Sequence, residues 1–75
     1  MSIHEYDLVV LTADIPEECL KRGDVGTVVL EHRAGAGFEV EFATLAGDTL
    51  AVVTVPASAV RPVHANEIAH VRCVA

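Results

Sequence analysis

The stretch Leu20–Val29, "LKRGDVGTVV", changes character at its middle. Up to Gly23 it has the composition of a loop, and after Asp24 that of a strand, with a second glycine, Gly26, set just inside the strand. Gly23 supplies the positive φ that a tight "KRGD" turn needs and that other residues adopt only at a cost. Gly26 asks for a different reason. The inward residues of "DVGTVVLE" read as Val25, Val28 and Leu30, which breaks strict alternation between the first two. A bulge at Gly26 restores it. Glycine inside a strand often marks a bulge or bend, and strong strand bending is what a small barrel needs to close.

Working outward from this segment, "DLVVL" (7–11) is a short apolar run bounded by acids and by "TAD", and reads as a first strand. The connection "TADIPEECLKRGD" is long. Asp14 and Glu17 have capping-box spacing, Pro16 suits a first helical turn, and Glu17 and Glu18 favour its positive end, so one helical turn is expected over 16–20 with Leu20 tucked toward the core. "EHRAGAG" is a hairpin turn. "FEVEFAT" alternates with Phe38, Val40 and Phe42 inward and Glu39 and Glu41 outward. "LAGD" makes a second tight turn, "TLAVVTV" a fourth strand, and "PASAVRPV" a strand-ending proline, a short turn and a brief fifth strand around Val60 and Arg61. Five short strands with one long first loop describe an all-β fold, a five-stranded, partly open SH3-like barrel over residues 1–63. Residues 64–75, "HANEIAHVRCVA", form a C-terminal appendage that fits an extra strand, a helix or a flexible tail.

A chain of 75 residues supports one domain with a thin core. Half of it is hydrophobic (52%) but only 4% is aromatic, and there is no Trp, so the core is built mainly of Val, Ala and Leu. Eleven acids against five bases give a net charge of -6, which repels a polyphosphate and argues against nucleic-acid or anionic-membrane partners. The acidic N-terminal stretch does not read as a secretory signal, and no run approaches the ~20 apolar residues of a membrane span. Cys19 and Cys73 lack CxxC pairing and read as reduced, idle thiols, in keeping with a cytoplasmic setting.

"YDLVVLTADIPEECLKRGDVGTVV" followed by "FEVEFATLAGDTLAVVTVPASAVRPV" resembles the short bacterial proteins grouped as the domain of unknown function 4926 family, over residues 6–63. Its glycine-centred turn is similar to that of KOW-type motifs. The resemblance implies a stand-alone SH3-like barrel and brings no catalytic residues with it. The tail from His64 onward departs from the typical short member, which ends near "LRPV".

No residue pattern points to catalysis, a metal or a cofactor. His4, His32, His64 and His70 match no compact zinc spacing, even with Cys73 added. Ser2 is terminal and Ser58 sits in a turn, so neither has a plausible triad; "RGD" (22–24) reads as a turn rather than an adhesion signal. A non-enzymatic chain is expected.

What needs explaining is the surplus of apolar side chains. "TLAVVTV" cannot hide both its Ala51, Val53, Val55 row and its Leu50, Val52 row in one small core, and "DLVVL" and Val29 pose the same problem. An outward apolar patch is commonly an interaction surface. The candidate binding residues are therefore Val29, Leu50 and Val52, fringed by Glu31, Glu39 and Glu41, with Gly23, Asp24 and Gly26 shaping the turn. Three readings follow: a protein-binding module, for example an antitoxin or immunity-type protein with a basic partner; a homo-oligomer closed through edge strands or an exchanged tail; or an accessory subunit of a larger enzyme. Alternatively, the long loop and the tail residues Ile68, Val71 and Val74 fold back over the patch.

Overall fold

The computed structural model describes residues 3–74; Ser2 lies outside them. Five strands are present: β1 (Leu8–Leu11), β2 (Val25–His32), β3 (Gly37–Ala43), β4 (Thr49–Pro56) and β5 (Val60–Pro62). They form one antiparallel sheet in the order β4-β3-β2-β1-β5. The order places β4 and β5 at the two edges, so the sheet curls into a partly open barrel of the SH3-like kind rather than closing. The only helical elements among the described residues are 3-10 turns at Pro16–Glu18, Arg33–Gly35 and Ala57–Ala59.

The core lies inside this curl. Val9 and Leu11 from β1, Val28 from β2, Phe38, Val40 and Phe42 from β3, Val55 from β4 and Val60 from β5 are buried together with Leu20. The alternation of β3 is as expected, with Phe38, Val40 and Phe42 turned inward. On β4, Val55 is buried and Val53 packs against the cluster as a partly buried neighbour, so the row containing Val53 and Val55 is the inward one.

Gly26 has a different reason from the one its sequence context suggests. It pairs with Val9 inside a regular stretch of ladder, and the register shift between β2 and β3 falls between Val28 and Leu30, at Val29. A Cβ on residue 26 would lie 2.5 Å from Val40 Cγ1, 2.8 Å from Phe42 Cε1 and 2.9 Å from the Glu41 carbonyl oxygen. Gly26 is thus an inward position with no room for a side chain. Alternation makes Gly26 and Val28 the inward pair of β2 and leaves Val25 outside, and the extra residue at Val29 then turns Leu30 outward as well, so Val25 and Leu30, both expected inside, are exposed. Leu30 stands opposite Glu39 on the outer face.

The long first loop also differs in detail from its expected form. Its turn is a three-residue 3-10 segment with Pro16 at its start and Cys19 ending it in the left-handed region at φ 58°. No capping box forms. Ile15 holds the cap position without a side-chain bond, and the Asp14 carboxylate instead accepts the Arg22 N–H at 2.8 Å. Leu20, buried as expected, is returned to the core by a bridge to Ile15. The "KRGD" turn closes by the Lys21 N–H donating to Asp24 Oδ2 and the Asp24 N–H donating to the Lys21 carbonyl. Gly23 there has φ 95°.

Because the crowding at residue 26 involves backbone as well as side chains, Gly26→Ala forces β2 and β3 apart. Overpacking of this kind costs about 1–3 kcal/mol, which in a domain of this size lowers Tm by roughly 5 °C or more. A thermal melt followed by circular dichroism reads it; an unchanged Tm contradicts the close approach.

Candidate functional site

The outer face of the sheet is assembled by register. Leu8 pairs with Thr27, Thr27 with Glu41, and Glu41 with Val52, a row that crosses four strands. The next row sets Leu30 beside Glu39 and Glu39 beside Thr54. The apolar members of both rows are open to solvent: Leu8 is 53% exposed, Val52 52% and Leu30 44%. Val29, the extra residue of the β2 bulge, is exposed at the same place in the sheet.

The carboxylates on this face are held rather than loose. Thr49 Oγ1 donates to Glu41 Oε2 at 2.6 Å. Glu39 Oε2 lies 2.6 Å from His32 Nε2 and accepts from Thr54 Oγ1 at 2.8 Å. The His32 contact first, and the Thr54 hydroxyl second, hold the Glu39 carboxyl below its ordinary range. The face therefore carries fixed negative charge among apolar side chains, a combination suited to a partner with both basic and apolar groups.

Of the residues expected to act together, Val29, Glu39, Glu41 and Val52 do share this region. Leu50 does not. The β3–β4 register shifts between Phe42 and Ala43, so that Thr49 stands opposite Ala43 and Leu50 becomes the extra residue. Thr49 points to Glu41 on the outer face, while Leu50 lines a groove with Leu20 and Phe42 at the open end of the barrel. In "DLVVL" the sequence leaves open whether Leu8 or Val9 faces outward, and it gives no sign of Leu30. The inward parity of Val9 and Leu11 places Leu8 outside, but Leu30 could be placed only by knowing the bulge.

The tail supplies the other wall of that groove. Residues 64–74 form neither helix nor strand. A turn follows the last strand, in which Glu67 Oε1 accepts the His64 N–H at 2.7 Å and Arg61 grips the same carboxylate through Nη1 at 2.8 Å and Nη2 at 2.6 Å. Farther on, Arg72 Nε and Nη2 donate to the two oxygens of Asp24 at 2.8 and 2.5 Å, and Nη2 also donates to the Cys19 carbonyl at 3.1 Å. Asp24 therefore both closes the "RGD" turn and anchors the tail, and the Arg72 contact holds its carboxyl below the usual range. Of the three apolar tail residues, Ile68 and Val71 stay 95% and 73% exposed, while Val74 lines the groove with Leu20 and Leu50, so the tail returns through Arg72 and Val74.

Among the described residues no cluster of three or more His, Cys, Asp or Glu side chains is placed to hold a metal ion. His4, His32 and His64 each face a different glutamate, Glu31, Glu39 and Glu67 respectively. Ser58 lies in the last 3-10 turn, where its carbonyl accepts from Thr12 Oγ1. Among the described residues no helix is long and apolar enough to cross a membrane.

Residues 5–62 match the family described as Domain of unknown function (DUF4926). The chain belongs to the DUF4926 family. The match runs from just before β1 to the last residue of β5, so it takes in every strand of the sheet and both rows of the outer face. The tail contacts of Glu67 and Arg72 lie beyond the DUF4926 match. No curated protein and no solved structure matches the chain.

The tail turn of this DUF4926 chain carries its own pH signature. The Arg61 guanidinium, then the His64 N–H, pull Glu67 down from 4.5 to about 2. A depressed carboxyl contributes to the folded arrangement above its unfolded value and loses that contribution as pH falls through its folded one. The turn should therefore persist until the pH approaches 2, and Arg61→Gln should bring the Glu67 titration back toward 4.5. Side-chain carboxyl NMR across an acid titration measures both. A Glu67 midpoint unmoved by Arg61→Gln contradicts the contact.

Proposed function

We propose that the domain is a non-enzymatic protein-binding module that docks a partner on the outer face of its sheet. The observation that carries this reading is the row Leu8, Thr27, Glu41, Val52, in which two open apolar residues flank a fixed carboxylate, with Leu30 and Glu39 beside it. A surface of branched aliphatic side chains loses little conformational entropy on being covered, and removing them from water favours association. The carboxylates select and orient a partner with basic groups around an apolar centre. An antitoxin or immunity-type protein, or an accessory subunit of a larger assembly, are the biological forms this takes. Both cysteines are free, which fits a reducing compartment such as the cytoplasm.

A second reading, self-association, draws support from β4. It is an eight-residue strand at the edge of the sheet, and such an edge presents unpaired backbone groups to another copy.

The two readings separate in one experiment. The tagged chain is recovered from its native host beside Val52→Lys and Leu8→Lys, which place a charge on the face, and beside Ser58→Lys, which places one in the exposed final 3-10 turn. The expected result is a stoichiometric companion retained by the wild type and Ser58→Lys and lost from both face variants. Recovery of the chain alone in every sample, with a mass by light scattering that rises with concentration, supports self-association and overturns the partner reading.

A further inference from the structure

The chain's only two cysteines arrive in one groove from opposite ends of the sequence. Cys19 ends the 3-10 turn of the long loop, and Cys73 follows the tail's anchor, Arg72. Both line the same groove of about 550 Å³, together with Leu20, Leu50 and Arg72, and both are free and exposed. The Arg72 guanidinium, donating to the Cys19 carbonyl at 3.1 Å, ties the residue next to Cys73 directly onto Cys19. Nothing in the fold of the five strands requires a cysteine at either place, since neither belongs to the buried core. From residue 69 to 74 the tail is an extended strap with no secondary structure of its own, held by the Arg72 contacts. With no ladder hydrogen bonds to break, this strap is the element whose shift closes the two sulfurs to the separation a disulfide demands.

We propose that Cys19 and Cys73 form a thiol pair that a small-molecule disulfide, such as oxidised glutathione, converts into an intramolecular disulfide, fastening residues 69–74 over the groove. The thiolate of one cysteine attacks the small disulfide, forming a mixed disulfide and expelling one thiolate. The second cysteine then attacks the protein sulfur of that mixed disulfide and expels the other half. Two S–H bonds become one S–S bond, and two electrons and two protons pass to the small disulfide, which leaves as two thiols. In the reduced chain the strap is held by the Arg72 contacts to Asp24 and the Cys19 carbonyl and can be displaced; in the oxidised chain it stays fastened beside Leu50. A reversible pair of this kind suits a compartment that is normally reducing, where disulfides serve as switches rather than scaffolds.

The test uses the full chain treated with oxidised glutathione and followed by intact-mass spectrometry, thiol titration and peptide mapping. The expected product is a monomer lighter by two hydrogens, with no free thiol and a single proteolytic peptide pair joining Cys19 to Cys73. Cys73→Ser should stop at the glutathione adduct on Cys19. A wild-type chain that stops at mixed adducts, keeps both thiols, or links chain to chain overturns the proposal.

Discussion

The architecture depends on how closely β2 lies against β3. At residue 26 there is no space for a Cβ between the two strands' core side chains, because Val40, Phe42 and the Glu41 carbonyl already fill it. A glycine there lets the second strand sink onto the two β3 residues that make up the middle of the core, and the sheet curls around that contact. With no tryptophan and two phenylalanines in the whole chain, packing that close is what allows Val and Leu to exclude water from so small an interior.

A thin core also has a consequence on its other side. Each strand presents half its residues outward, and a chain this rich in branched aliphatics has too few polar residues to cover them all. The outer row from Leu8 to Val52 is the result. Its carboxylates are tied down by Thr49, Thr54 and His32, so their charge is presented in fixed places. The open end of the barrel is managed differently, by a strap whose one arginine reaches the aspartate that also shapes the turn before β2. The two surfaces thus have separate chemistry: a charged, half-apolar face left open, and an apolar groove partly covered by the chain itself.

Much of this could be read in the residues. The alternation of "FEVEF" places Phe38, Val40 and Phe42 without ambiguity, and the glycine and proline punctuation marks the turns. The bulges were not legible. Periodicity fixes which parity faces the core but not where an extra residue enters, and moving one bulge from Gly26 to Val29 turns Val25 and Leu30 outward. The same effect at Leu50 removes it from the face that Val52 occupies. A glycine inside a strand admits both a bulge and a close approach, and only the partner strand distinguishes them. The Asp14–Glu17 spacing fits a capping box, yet the backbone of Arg22 takes the aspartate first. Arg72 and Asp24 are 48 residues apart, and no local pattern joins them.

The proposed binding role of the outer face is most directly tested by placing a photo-crosslinking amino acid at position 52 in the native cell, with position 58 as the off-face control. One discrete crosslinked species is expected from position 52, of a mass beyond that of the chain paired with itself, and none from position 58. Identical products from both positions, or uncrosslinked chain alone, would contradict docking on this face.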